Sequence, residues 1–209
     1  MPIIQYDIFD DIEIAVWKID ENEDFLKQQA EIDDSDFEFC KNFKLEIRRK
    51  QFYVARILAN KLTKSKLKIK YNKSGKPFFE NQKFHLSITH SKNLLAIIIS
   101  EKHEVGIDIE EITDRVHSIK HKFMNDFELM KMDKKNETLE LYMNWCAKEA
   151  IYKIFDYNKL YFKDMIAKNI DFTKLYFYIS TRVFEIDYNF KMNYRIFDNN
   201  ILVWTKKEI

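Results

Sequence analysis

Glycine is nearly absent: the 209-residue chain has only Gly75 and Gly106, where about 7% would be ordinary. Each survivor therefore marks a position that rejects a side chain, either because φ is positive or because a ligand approaches the backbone closely. Cysteine is as scarce. Cys40 and Cys146 are far apart and form no C-x-x-C, which excludes a disulfide framework and agrees with a reducing compartment; both are expected as small core residues. No linker rich in Pro, Gly or Ser divides the chain, and no fixed-period repeat runs through it. Apolar runs are short, the longest being Leu94 to Ile99, far below the ~20 residues of a membrane helix. Net charge is missing too: 35 basic residues against 34 acidic leave +1, which argues against a general nucleic-acid binder. The segment from Met1 to Ile14 carries Asp7, Asp10, Asp11 and Glu13 where a secretory signal would carry lysines. A cytoplasmic address, with no membrane and no nucleic-acid partner, is expected.

What is present is a globular mixture, 46% hydrophobic and 33% charged. At 25.5 kDa the chain suffices for one large domain or two small ones. Alternation around Val16 and Trp17 predicts a strand over Ile12–Ile19. Phe52, Ala55, Leu58 and Leu62 make a helical stripe over Leu45–Leu62, with Arg49, Tyr53, Arg56 and Asn60 on a neighbouring face. Asn72-Lys73-Ser74-Gly75-Lys76-Pro77 reads as a loop. Phe84–His90 alternates strictly, Leu94–Ser100 is apolar and Val105–Glu110 is a third strand. Their short connections predict an antiparallel meander with His90 and Asp108 along one rim. Helical patterns continue over Ile119–Met132 and Glu137–Phe155, the second with Asn136 as its cap and Leu139, Met143, Cys146, Ala150 and Ile154 as its buried stripe. Leu175–Ser180, Tyr194–Phe197 and Ile201–Thr205 read as further strands. Helix followed by antiparallel strands occurs on both sides of about residue 104. The prediction is an α+β fold of two similar halves, 1–104 and 105–209, tightly associated with a ligand cleft between them.

Three carboxylates stand out. In Gly106-Ile107-Asp108-Ile109-Glu110 the strand period of two puts Asp108 and Glu110 on one face and Ile107 and Ile109 toward the core. Two acids on one strand face repel unless something positive sits between them. In the helical run Trp145-Cys146-Ala147-Lys148-Glu149-Ala150-Ile151-Tyr152-Lys153, Glu149 emerges beside Lys153 at i, i+4 and off the apolar stripe. Asp108, Glu110 and Glu149 together are hard-oxygen ligands for a Mg²⁺ that would keep waters and take the rest of its octahedron from a phosphate substrate.

Gly-Ile-Asp-Ile-Glu at 106–110 and Trp-x-x-Lys-Glu-Ala-x-x-Lys at 145–153, in that order, resemble the two signatures of the 4′-phosphopantetheinyl transferases, in particular the larger monomeric surfactin-synthetase type. Gly75-Lys76-Pro77, Ser87-Ile88-Thr89-His90-Ser91 and Phe123 to Glu128 support the likeness, which covers roughly residues 45 to 155. Either signature alone is weak; the ordered set is strong. The resemblance implies two similar α+β halves, pseudo-two-fold related, with coenzyme A in the cleft between them. It implies that Asp108, Glu110 and Glu149 hold Mg²⁺ against the pyrophosphate, and that Glu149 or Glu110 takes the proton of the attacking serine. Lys153 and Lys148 would meet phosphate oxygens, His90 a phosphate of the same ligand, and Gly75, Lys76 and Pro77 the adenine nucleotide, with Ser87 on the same strand as His90. Basic residues of the first long helix would join them: Arg49 and Arg56, which share a face, or else Arg48 and Lys50. The partner implied is an apo acyl or peptidyl carrier protein, and the enzyme a monomer.

Blander readings exist for each part. An isolated Asp-x-Glu on a strand is usually a solvated face, and Glu149 with Lys153 taken alone is an ordinary surface pair worth ~0.3 kcal/mol. His90 by itself would be a structural histidine. His117 and His121 have the i, i+4 spacing of a zinc pair but no further ligands near them, and read as surface residues. The lysines from Lys61 to Lys70 read as solvated, and a nucleic-acid-binding domain using that patch is disfavoured by the neutral overall charge. The remaining alternative is a catalytically silent module of the same fold that binds coenzyme A or carrier protein, although such a relative should have lost one of the three acids.

Overall fold

The N-terminal alternation forms an antiparallel pair, β1 (Ile3–Phe9) with β2 (Ile12–Lys18). The structure, a computed structural model, describes residues 3–9, 11–168 and 170–208; Asp10, one of the N-terminal acids, lies outside the described residues. Two short helices follow that the apolar pattern does not announce, α1 (Glu23–Ala30) and α2 (Asp34–Cys40). Polar caps start them: Asn22 Oδ1 accepts from the Phe25 amide at 2.8 Å, and Asp33 Oδ1 from the Asp36 amide at 2.8 Å. The long helix α3 (Glu46–Thr63) buries Phe52, Ala55, Leu58 and Leu62, as their spacing predicts. Tyr53 and Arg56 are buried as well, so the neighbouring face is enclosed rather than open. β3 (Ile69–Tyr71) and β4 (Pro77–Phe79) pair across the glycine-bearing turn, and β5 (His85–Ser91) pairs with β6 (Leu94–Ser100).

Here the expected meander stops. β6 already has β2 on one edge and β5 on the other, giving the order β1-β2-β6-β5, so no edge remains for the next strand, β7 (Val105–Glu111). After it come α4 (Arg115–Phe123), α5 (Asp126–Lys131), α6 (Glu137–Phe155), β8 (Ile166–Lys168), β9 (Tyr176–Val183), β10 (Ile186–Phe197) and β11 (Asn200–Lys206). β7 pairs with the last of these, in a second sheet of order β7-β11-β10-β9-β8. His90 and Asp108 therefore belong to different sheets, because a strand saturated on both edges cannot extend a meander however short the connection.

The single helix expected over 119–132 is in fact two. Asn125 accepts from the Glu128 amide at 2.9 Å while Glu128 accepts from the Asn125 amide at 3.1 Å, a capping box that begins α5 afresh. Asn136 does not cap α6 with its side chain, which turns back to donate to Asp133 at 2.7 Å. In the buried stripe of α6 only Leu139 is partly exposed. The left-handed positions that glycine commonly fills in tight hairpins are held by Phe184 and Glu185 between β9 and β10, and by Asp198 and Asn199 between β10 and β11.

The chain divides into two compact units, residues 1–102 and 103–209. Each is antiparallel sheet packed against helices, an α+β arrangement. In the first, α3 lies on a core that includes Trp17, Phe79, Leu95 and Ile97. In the second, Met143, Cys146 and Ala150 of α6 pack with Ile179, Phe190, Ile201 and Val203. Both cysteines are free and buried. No helix among the described residues is long and apolar enough to cross a membrane.

Candidate functional site

The C-terminal unit brings the three carboxylates together through one contact between backbones. α6 packs on β7 at Gly106, where a Cβ would stand 1.9 Å from the Ala150 carbonyl oxygen. That approach turns the even-numbered face of β7 toward α6, so Asp108 and Glu110 meet the turns that carry Trp145, Glu149 and Lys153. Asp108 is 6% exposed and accepts from the Lys153 ammonium at 2.8 Å; the same ammonium donates to the Ile107 carbonyl at 2.9 Å. Glu110 accepts from the Trp145 indole at 3.3 Å, so Trp145 orients an acid.

Electrostatics record how close these groups are. Burial pushes the Glu149 carboxyl up to about 7, with Asp108 adding to the shift, Lys153 opposing it and Glu110 adding again. Burial and then Asp108 raise Glu110 as well, against the Trp145 hydrogen bond and Lys153. The Cys146 thiol is pushed well above its ordinary value by burial first and then by Asp108 and Glu110, so it stays a neutral donor toward Asp108. When all three carboxyls are ionised, three negative charges face one ammonium in a half-dry place. That surplus suits a divalent hard cation, which takes oxygen ligands and lowers the cost of keeping the acids charged. Among the described residues no group of three or more His, Cys, Asp or Glu side chains is arranged to hold a metal ion. The carboxylates are of the oxygen-donor type that Mg²⁺ takes, and such an ion would need substrate and solvent oxygens for the rest of its shell.

In the N-terminal unit a cavity of about 600 Å³ gathers a different set, including Gly75, Pro77, His90 and Arg48. Its aromatic wall is Phe39, stacked on Tyr71 at 5.2 Å and 9° and on Phe52 at 5.8 Å and 29°. Gly75 sits at φ +88° with open space around it, so positive φ, not crowding, is its reason. Asn72 shapes that turn by accepting from the Ser74 amide at 3.1 Å and the Lys76 amide at 2.8 Å. The Arg48 guanidinium donates to the His90 ring.

Several expected ligand contacts are engaged elsewhere. Arg49 is bound to Glu23 at 2.7 and 2.8 Å. Arg56 is 3% exposed, pairs with Asp36 at 2.8 Å and lies 3.3 Å from the Phe52 ring centre. Of the basic residues on α3, Arg48 lines the cavity, and the shared face of Arg49 and Arg56 is taken by acids from α1 and α2. Lys148 is fully buried, bonded to Glu128 at 2.7 and 3.0 Å and to the Phe123 carbonyl at 2.9 Å. It leaves α6 on a side away from Glu149 and has no access to a phosphate as it stands. Ser87 is 3% exposed, enclosed within β5. Sequence reasoning missed Phe39 and Tyr71, because the helix that carries Phe39 is too short and polar to show in a periodicity. The Asp33 cap was the available signal.

Comparison with family models matches residues 104–208, just over half of the chain, to the 4′-phosphopantetheinyl transferase superfamily. That span begins two residues before Gly106 and runs through β11, well past the residue 155 where the recognisable motifs end. A search of the curated proteins finds no match. With both signatures on β7 and α6 of the matched unit, the chain belongs to the 4′-phosphopantetheinyl transferase superfamily, transferases that use coenzyme A as substrate.

Proposed function

We propose that the chain transfers the 4′-phosphopantetheine group of coenzyme A to a serine hydroxyl of an apo acyl or peptidyl carrier protein, releasing adenosine 3′,5′-bisphosphate, in the manner of the larger surfactin-synthetase-activating type and with Mg²⁺. The observation that carries this reading is the convergence of Asp108 and Glu110 on β7 with Glu149 and Lys153 on α6. A carboxylate at that edge can take a proton, as a general base must. When bound by Asp108, Glu110 and Glu149, Mg²⁺ would supply positive charge for the leaving phosphate.

The protein's own groups do the rest. Glu149, or Glu110, takes the proton from the serine oxygen as that oxygen attacks phosphorus. Lys153 keeps Asp108 in place through its 2.8 Å bond and becomes available to phosphate oxygens when a ligand competes for it. In the N-terminal unit, Arg48 and His90 supply donors for a phosphate, while the turn at Gly75, Lys76 and Pro77 and the aromatic wall suit a nucleotide base. Residues 1–104 thus serve the nucleotide and residues 105–209 the metal and the pyrophosphate.

Incubation of the chain with an apo carrier protein, coenzyme A and Mg²⁺, read by mass spectrometry, tests the reading. A gain of one phosphopantetheine group on the carrier serine is expected, and none when Mg²⁺ is chelated. Binding of coenzyme A without any mass gain would indicate the silent module instead.

A further inference from the structure

β1 is the outer strand of the first sheet: β2 takes one side of it, and no strand among the described residues pairs with the other. Its seven residues, Ile3–Phe9, include neither lysine nor proline, the residues that commonly keep a sheet edge from pairing with another chain. A register shift between Ile3 and Gln5 bulges only its start, and Gln5 to Phe9 run in unbroken register against Val16 to Ile12. Alternate side chains of the strand stand in solvent. Ile4, Tyr6 and Ile8 are 41%, 50% and 62% exposed. Tyr6 and Ile8 lie on the face of Ala15 and Glu13, and the Tyr6 hydroxyl donates to Glu13 at 2.6 Å. Gln5 and Asp7 take the opposite face, where Gln5 Nε2 donates to Asp7 at 2.6 Å.

The order of residues in β1 favours one occupant. Directly opposite residues of an antiparallel pair share a sheet face, so a partner strand must match apolar with apolar and the carboxylate with a donor. Read in both directions from Tyr6, this strand matches itself. Ile4 meets Ile8 and Ile8 meets Ile4, Tyr6 meets its own copy, and Asp7 meets Gln5 twice, with the amide as donor. Neighbouring registers fail. Centring on Asp7 sets two carboxylates opposite each other, centring on Gln5 sets Asp7 against Ile3, and the half-steps set Tyr6 against Asp7 or Gln5. A strand of unrelated sequence would match this order only by accident, whereas a two-fold axis matches it by construction.

We infer that β1 pairs antiparallel with β1 of a second copy of this chain, about a two-fold axis at Tyr6, joining two sheets into one across a homodimer. Ile4, Tyr6 and Ile8 of the two copies then cover one another. The inference stands apart from phosphopantetheine transfer, uses none of its residues, and departs from the monomer that the family resemblance implies. One strand a side makes a small, reversible interface, so half-association at roughly 10–100 µM is expected. Sedimentation velocity of the full chain over that range tests it, the mass rising from 25.5 kDa toward twice that value. Ile8→Lys, at an exposed position, should weaken association about tenfold or more and leave the melting temperature of the dilute protein unchanged. With a thiol oxidant added, Tyr6→Cys should crosslink to itself, because position 6 lies on the axis. Ile4→Cys and Ile8→Cys should crosslink when mixed and not alone; Cys40 and Cys146 are buried and do not compete. A wild-type chain still monomeric at about 1 mM, association unmoved by Ile8→Lys, or self-crosslinking of Ile8→Cys in preference to Tyr6→Cys would each overturn the inference.

Discussion

Gly106 on β7 lies so close to Ala150 on α6 that a Cβ would stand 1.9 Å from the Ala150 carbonyl oxygen and 2.7 Å from its carbonyl carbon. Backbone cannot yield as a flexible side chain can, so Gly106→Ala must push the helix off the strand that carries Asp108 and Glu110. We expect a loss of about 3 kcal/mol or more, read as a fall in melting temperature, together with loss of transfer. Gly75→Ala should cost about 1 kcal/mol, since it meets φ +88° in open space. Equal losses at the two glycines would contradict this account.

Glu149 couples stability to pH. Its carboxyl is held at about 7 against an ordinary 4.5, so the folded chain binds this proton more tightly than the unfolded chain does. The contribution to stability is complete below pH 4.5 and is lost as pH rises to about 7. Glu149→Gln should therefore melt at or above the wild-type temperature at pH 8, by on the order of 2 kcal/mol, and lose nearly all transfer activity. At pH 8, Mg²⁺ should raise the melting temperature of the wild type and leave that of the Gln variant almost unmoved. A Gln variant that transfers normally would sink the role given to Glu149.

Arg48 and His90 form the basic end of the N-terminal cavity. Arg48→Ala and His90→Ala should each weaken coenzyme A by about tenfold while leaving the melting temperature within about 1 kcal/mol of wild type. Arg56→Ala should do the reverse, because it strips the partner from half-buried Asp36 and uncovers the Phe52 ring. Calorimetry with coenzyme A and thermal melts of the three variants separate the two behaviours.

The Lys148–Glu128 pair is enclosed, with the two side chains 0% and 4% exposed. Removing Lys148 leaves a buried carboxylate that also accepts from the Asn125 amide in the capping box of α5 and from the Ala167 amide. Lys148→Ala should cost about 3–5 kcal/mol. The paired change Lys148→Met with Glu128→Gln should recover a good part of it, as chemical denaturation would show. Activity lost in Lys148→Ala without loss of stability would return this lysine to the ligand.

The carrier protein is expected to dock on the α4–α5 segment. Phe123 and Met124 are core, whereas Phe127 and Met130 are 54% and 83% exposed, with Lys122 and Lys131 exposed near them. Lys120 is tied to Glu137 at 2.9 Å, so the charge reversal that tests this surface is Lys122→Glu with Lys131→Glu. It should raise the KM for an acidic carrier several-fold and leave that for coenzyme A unchanged. A carrier KM that is unchanged and insensitive to salt would place docking elsewhere.

Local chemistry was legible in the chain. The period of two puts Asp108 and Glu110 on one strand face, the i, i+4 spacing puts Glu149 beside Lys153, and Gly75 holds the positive φ that is one of the two needs expected of so rare a glycine. These are properties of neighbours a few residues apart, which backbone geometry sets directly. Gly106, where close approach of a ligand is the other expected need, instead meets the α6 backbone at Ala150. What only the tertiary structure decided was which elements meet. β7 leaves the β5–β6 hairpin because β6 is saturated, Arg49 and Arg56 are claimed by acids on helices too short to read in advance, and Lys148 is claimed by Glu128 across twenty residues. Pairings of that range depend on which edges and charges are already occupied once the chain has packed, and no window of sequence contains that information.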